Sequence, residues 1–349
     1  MPTKTIEHEI CIPHDGATHT VTFALYLDTD DDELEVGCSD WEPVKKKFYS
    51  NGKLLLTGEY AILDGALGLA LPTKYGQSLE ISAHSTPILR WTSFDHEGAI
   101  WFEDRFDLNT FLPIGKSEAS EENSTVKTLV KILLEARKLN ASFLKDGKGY
   151  HVETRLDFPQ NWGLGSSSTL ISNIAQWAKV DAYTLLWNAF SGSGYDIACA
   201  QNNSPILYRL KEERPEIQEV AFNPSFKDRL YFVHLNKKQN SREGIAQYRT
   251  RTFDKIELEK NISNLAKAFL SCDNLSEFEK LIAKHEKLIS EALDLPPVKA
   301  KLFPHYPGAI KSLGAWGGDF VMATGNVDSP SYFKKKGYNT VIPFSKMIL

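Results

Sequence analysis

Two short stretches hold residue types that could do chemistry on a phosphate. The first is NWGLGSSSTL, Asn161 to Leu170. Gly163 and Gly165 let the backbone approach a ligand closely and adopt angles closed to other residues. Ser166, Ser167 and Ser168 open an apolar helical pattern, so their free N–H groups and the positive end of the helix dipole favour an anion. Their hydroxyls can bond phosphate oxygens or ligate magnesium. A serine cap after a glycine turn would account for one hydroxyl, not for three with two glycines. The second stretch is SGSGYDIACA, Ser191 to Ala200, where Asp196 follows a glycine turn. Asp196 can act as a general base toward a hydroxyl, or it can cap the helix that follows. Upstream, SNGKLLLTGEY carries Lys53, able to neutralise developing phosphate charge or to stand as an exposed strand lysine, with Glu59 six residues later. GAWGGDF, from Gly314, has three glycines in five residues and can fold over a nucleotide or make a tight loop.

Other phosphate and metal signatures fail. The GKS at 115–117 has Thr110 where a P-loop needs glycine. A dinucleotide fingerprint from Gly163 would need glycine at Ser168, and the alternating strand–helix units around it are missing, although Asp181 lies near the distance of a ribose acid. The acidic run Asp28–Glu35 has Glu33 and Ser39 where a calcium loop needs Gly and Glu, so it reads as a solvated turn. There is no HExxH and no GxSxG.

The surrounding elements must position these groups. Residues 1–45 read as a strand or hairpin over His19–Leu27 and an acidic turn, an extension of unknown role before a core starting near Lys46. Asn51-Gly52 between β-type runs predicts a hairpin turn. The spacing of Val126, Leu129, Val130, Leu133 and Leu134 predicts a helix over 124–139. Tyr150–Phe158 alternates as a strand feeding the glycine–serine stretch, and Leu170, Ile171, Ile174 and Trp177 line the helix after it. From about residue 226 come a strand, RLYFVHL, and two long helices, the second opened by a capping box of Ser276 and Glu279. A helix with Pro330 at its start and Gly337 past its end, then a strand, close the chain. Strands and paired helices in this order predict an α+β sandwich.

The bulk numbers bound the rest. A chain of 349 residues supports about two domains, and 42% apolar with 24% charged residues is ordinary for a globular protein. A net charge of −5 gives no sign of a nucleic-acid partner. Four scattered cysteines without a CxxC pair, no signal peptide and no long apolar run lead to the expectation of a cytoplasmic protein with reduced thiols and no membrane partner.

The order of these stretches resembles the GHMP kinase family, which includes galactokinase, homoserine kinase, mevalonate kinase and phosphomevalonate kinase. Its three motifs look like SNGKLLLTGEYAILDG (Ser50–Gly65), NWGLGSSSTL and SLGAWGGDFVMA (Ser312–Ala323), with Gly194-Tyr195-Asp196 matching its catalytic aspartate. The resemblance covers roughly residues 46–349 and is nearest to the mevalonate kinase branch, with Tyr60 replacing that branch's histidine. It implies a two-domain α+β fold: a ribosomal-protein-S5-like N-terminal domain over 46–225 and a ferredoxin-like α/β sandwich over 226–349. It implies ATP and Mg2+ as cofactors and phosphoryl transfer to a small alcohol or phosphate, mevalonate or phosphomevalonate first, within isoprenoid biosynthesis. A diphosphomevalonate decarboxylase-like enzyme and a non-catalytic nucleotide-binding regulator are the alternatives on this fold. A homodimer is one assembly it allows. Asp196 and Lys53 would be catalytic. Gly163, Leu164, Gly165, Ser166, Ser167 and Ser168 would bind the nucleotide with Gly314, Gly317 and Gly318, and Ser167 would ligate magnesium. Glu59, Ser241 and Arg242 would face the acceptor. The family's upstream acidic metal ligand falls on Leu185, which cannot bind metal, leaving Asp181 or Asn188 as substitutes; Trp162 either stacks near the base or packs as core.

Overall fold

A computed structural model describes residues 3–11, 18–26, 45–84, 86–114, 124–238, 241–314 and 316–349. The acidic run Asp28–Glu35, Cys38, Gly115–Ser117 of the GKS stretch and the side chains of Ser241 and Arg242 lie outside the described residues. The chain divides into two compact units, residues 1–45 and 46–349. The first contains an antiparallel pair, β1 (Thr3–Cys11) and β2 (Thr18–Tyr26), with Thr3 opposite Tyr26.

The second unit runs β3 (Lys46–Thr57), β4 (Gly68–His84), β5 (Ile88–Phe94), β6 (Ile100–Asp107), α1 (Ser124–Leu139), β7 (Gly149–Leu156), α2 (Ser166–Ala178), α3 (Ala182–Ala189) and α4 (Tyr195–Gln201). It continues through β8 (Ile206–Lys211), β9 (Arg214–Glu219), β10 (Leu230–His234), α5 (Ser241–Thr250), α6 (Lys255–Ser271), α7 (Leu275–Leu293) and α8 (Val298–Leu302). It closes with β11 (Ile310–Ser312), β12 (Phe320–Thr324), α9 (Ser329–Lys335), β13 (Val341–Pro343) and α10 (Phe344–Met347). This is the mixed α+β architecture that the alternation of strand and helix patterns predicts.

The first seven strands of this unit form one sheet, ordered β6-β5-β7-β4-β8-β9 with β3 also on β4. Among the described residues, β5 and β7 are the one parallel pair of this sheet. One face is covered by α1, α2 and α3: Leu79, Trp91 and Val152 from the strands bury against Leu129, Ile171 and Leu185 from the helices. A four-stranded antiparallel sheet, β11-β12-β10-β13, is built by the last third of the chain. The largest core joins β3 and β4 to α6, α7 and this second sheet, with Leu56, Leu69, Phe269, Phe278 and Phe320 fully buried.

Two local expectations are corrected. Asn51-Gly52 makes no hairpin turn, since β3 passes straight through it, with Asn51 opposite Gly76 and Lys53 opposite Pro72 across an irregularity in the ladder. The Asn51 amide is taken up by Asn202 O at 2.8 Å and Asn203 Oδ1 at 2.9 Å. Residue 52 is glycine because a side chain there would strike Thr73 Oγ1 at 2.6 Å and the Tyr75 carbonyl at 2.8 Å. Helix α7 is capped by Asn274, which accepts the Glu277 N–H at 3.1 Å, and not by Ser276. Glu279 turns away to accept from the Thr324 hydroxyl.

Candidate active site

Four segments meet at a cavity of about 240 Å³. The sheet strand β3 brings Lys53, and its backbone N–H donates to the Leu164 carbonyl at 3.0 Å, tying the strand to the glycine–serine loop. That loop leaves a short turn at Gly163, φ 67°, buries Leu164 in the core, and enters α2 through Gly165, φ 92°. A glycine in the cap position has no side chain with which to satisfy the first-turn amides, so these remain for an anion. Ser166 and Ser167 line the cavity. Ser168 turns inward and donates to the Gly165 carbonyl at 2.8 Å, and its hydroxyl acts to lower the Asp196 pKa. Trp162 packs edge-on against Tyr75 and Phe320, both at 5.4 Å between ring centres, as a core residue does.

Asp196 does not cap its helix; Gly194, φ 84°, holds that place and Asp196 sits in the first turn, facing the cavity beside Tyr195. Burial pushes the Asp196 carboxyl above the usual carboxylate range, while Lys53 opposes the shift. Burial works against the charge of Lys53, but Tyr195, Asp319 and Asp196 around it outweigh this and hold its pKa above the ordinary lysine value. Tyr195, pushed up to about 12 chiefly by burial, is a neutral phenol at pH 7. It therefore serves the ammonium as a hydrogen-bond partner, and the counter-charge comes from the two carboxylates.

The glycine-rich loop between β11 and β12 supplies Gly314 and Asp319. Gly317 instead faces a separate hollow with Trp316 and Lys237, and Gly318 is buried without lining the cavity. Asp319 is the residue that motif reading passes over. Its carboxylate lies against Gly163 so closely that a Cβ at residue 163 would land on it. Its only sequence signal is an acid at the end of a glycine-rich loop.

Glu59 lines the cavity but is fully buried and committed elsewhere. It pairs with Lys311 and with His285 Nε2 at 3.1 Å. Lys311 also lies 3.3 Å from Glu286, which accepts from the Ser312 N–H at 3.1 Å and the Ser312 hydroxyl at 3.0 Å. Burial raises the Glu59 pKa, but Lys311 and His285 overcome this and keep it below the usual value. His285 is lowered by burial and by Lys311, so it is neutral at pH 7. Next to Glu59, Tyr60 stacks on Tyr248 and accepts the Trp316 N–H at 3.2 Å. Leu55, Ile62, Leu63 and Ile245 give this end of the cavity an apolar wall. Ser241 and Arg242 begin α5, the helix that carries Ile245.

The expected substitutes for the acidic metal ligand are elsewhere. Leu185 is fully buried in the core, and Asp181 is an exposed cap whose carboxylate accepts the Thr184 N–H at 2.7 Å. A second hollow of about 260 Å³ continues past Ser166 and Ser167 and is walled by Trp91, Trp101, Gln77 and Thr128.

The architecture has close counterparts among solved structures. Mevalonate kinase from Methanococcus jannaschii superposes with a TM-score of 0.62 at 15% identity, covering 86% of this chain and 97% of that one. Streptococcus pneumoniae phosphomevalonate kinase in complex with phosphomevalonate and AMPPNP gives 0.62 at 15% identity, covering 83% and 95%. Lactococcus lactis galactokinase complexed with galactose gives 0.58 at 16% identity, covering 84% and 88%. The chain has the GHMP kinase fold. No family model matches the sequence, and no curated protein matches it. Within the GHMP fold, the cavity lies where the glycine–serine loop, Lys53, Asp196 and the glycine-rich loop come together. Among the described residues no helix is long and apolar enough to cross a membrane.

Proposed function

We propose that this protein is an ATP-dependent small-molecule kinase that transfers the γ-phosphoryl group to an alcohol or phosphate acceptor, with mevalonate and phosphomevalonate the first acceptors to test. The observation that carries the reading is the meeting of an amide-rich helix start, a charged lysine and a carboxylate of raised pKa in one cavity. Phosphoryl transfer asks little covalent chemistry of a protein; it needs the phosphates held, the charge balanced and the nucleophile aimed. Gly163, Gly165 and the first turn of α2 would cradle the phosphates. The aromatic hollow beside Ser166 has room for the nucleoside.

In this reading Asp196 takes the proton from the acceptor hydroxyl as its oxygen bonds to the γ-phosphorus. The bond from that phosphorus to the bridging oxygen breaks, and its electron pair leaves with ADP. A carboxyl whose pKa is raised is a better base than an exposed aspartate, and Lys53 keeps it ionised while stabilising the attacking oxygen.

Charge balance supports a divalent cation. Lys53 and Lys238 face Asp196 and Asp319, so the cavity has no surplus positive charge for a polyanion. Among the described residues no group of three or more His, Cys, Asp or Glu gathers as a ready-made metal cage. That suits magnesium, which takes one or two carboxylates and completes its shell with substrate phosphates and water. Ser167 would help to hold it, and the ion would supply charge neutralisation between the phosphates. An ADP-release panel over mevalonate, phosphomevalonate, homoserine and galactose tests the reading, with carbon dioxide followed in parallel. Acceptor-dependent ADP release without carbon dioxide is expected. Nucleotide binding with no turnover on any acceptor would contradict it.

A further inference from the structure

The glycine-rich loop between β11 and β12 has two sides, and the kinase reading uses one of them. Gly314 and Asp319 face the catalytic cavity, whereas Trp316 and Gly317 face a hollow of about 350 Å³. Leu235, Val298, Leu302 and Trp316 give that hollow an apolar wall, and all but Leu302 are more than nine-tenths buried. A Cβ placed on Gly317 would meet nothing within 4 Å, so open space begins at the backbone of the loop. Among the described residues, Lys237 and Lys301 are the charged groups that line the hollow, and no Asp or Glu does. One exposed lysine is ordinary. Two of them on an apolar hollow that no carboxylate lines define a chemistry: the body that fills it is apolar and its head is anionic. A cation would be repelled there, and a neutral ligand would leave both ammonium groups unmatched.

Backbone hydrogen bonds join this wall to the catalytic cavity. The Leu235 N–H donates to the Asp319 carbonyl and the Asp319 N–H donates to the Lys237 carbonyl, both at 2.8 Å. The Trp316 N–H donates to the Tyr60 hydroxyl at 3.2 Å, and Tyr60 lines the catalytic cavity. A ligand lying against Leu235, Lys237 and Trp316 therefore bears on the short loop that carries Gly314 and Asp319. If its contacts favour one position of that loop, the affinity at the cavity changes with it. We propose that this hollow is an effector site for a small organic anion with an apolar body, and that its occupancy changes nucleotide affinity through the loop. The site itself stands apart from the kinase reading; its coupling to nucleotide rests on that reading.

Calorimetry at low salt with hexyl phosphate, hexanoate, hexanol and hexylammonium tests the site, each titrated with and without saturating AMPPNP. At least one of the two anions should bind in both conditions, and the tighter of them identifies the head group as phosphate or carboxylate. The double variant Lys237→Gln, Lys301→Gln should weaken that binding about five-fold or more. Its AMPPNP affinity without the anion should stay unchanged. AMPPNP should alter the anion's affinity about five-fold or more, and the anion should alter that of AMPPNP by the same factor. Neither anion binding, or hexanol or hexylammonium binding as tightly as the anions, would overturn the site. So would anion binding that AMPPNP abolishes and the double variant leaves intact, since the catalytic cavity would then be its seat. Anion binding with no reciprocal change would overturn the effector role and leave the kinase reading standing. No AMPPNP binding in any condition would overturn the kinase reading, and the double variant would still decide the site.

Discussion

Two groups of buried ionisable residues lie a short way apart in this molecule, and they are put to different use. Around Glu59, the charges of Lys311, Glu286 and Ser312's dipoles close on one another, with His285 neutral beside them. Around Lys53, the carboxylates of Asp196 and Asp319 face a cavity that also receives the amides of a helix start. The first cluster ties the turn after β3 to α7 and β11 and so sets the root of the glycine-rich loop. The second is left open on one side. A lysine on β3 and a glutamate six residues later, just past the strand's end, thus end in opposite roles, one toward ligand and one toward fold.

The largest separation between the clusters should appear in turnover. Asp196→Asn should lower kcat by about two to four orders of magnitude in a coupled ADP assay. The same change should raise the melting temperature at pH 7. The folded pKa of Asp196 is above its unfolded value, so its ionisation works against folding at neutral pH, and this penalty vanishes below the unfolded value of 3.8. Denaturation scans at pH 7 and at low pH check the sign: the advantage of the variant should shrink as the pH falls. The acid limb of kcat/KM should accordingly lie above the pKa of an exposed aspartate.

The fold cluster should answer in the opposite currency of measurement. Lys311→Met leaves the buried Glu59 charge without its cation, with only His285 beside it, and should cost about 3–5 kcal/mol in urea unfolding. Adding Glu59→Gln to it should recover a substantial part, because the stranded charge is then removed. A Lys311→Met protein that loses turnover without losing stability would erase the distinction between the clusters.

Smaller effects sharpen it. Gly163→Ala should cost about 1–2 kcal/mol for its left-handed backbone alone, and more because the new methyl displaces the Asp319 carboxylate. It should weaken AMPPNP binding as well as folding, which fluorescence titration and urea unfolding can read side by side. Tyr60→Phe removes an acceptor for the Trp316 N–H and should cost about 1 kcal/mol.

Much of this site is legible in the sequence where the signal is local. The strand into Gly163, the helix from Ser166, and Asp196 after a glycine turn follow from spacing and residue type over about ten positions. What fails is local signal overruled by a distant neighbour. Asn51-Gly52 looks like a turn, yet the crowding of Thr73 and Tyr75, not a positive φ, is what demands glycine there. Glu59 looks free to meet a substrate until Lys311 and His285 close on it from segments more than two hundred residues away. Asp319 gains its meaning only from contact with Gly163, and no periodicity marks such a contact. Asn274 caps α7 in place of Ser276 because two residue types of equal capping ability compete within one turn, and the register of the buried face decides between them.

The most direct test is a crystal structure with AMPPNP bound. The triphosphate should lie on Gly163, Gly165 and the first-turn amides of α2, with its terminal phosphorus within one acceptor oxygen's reach of the Asp196 carboxylate. A triphosphate lodged elsewhere, or a terminal phosphorus that no oxygen held by Asp196 could touch, would contradict the account.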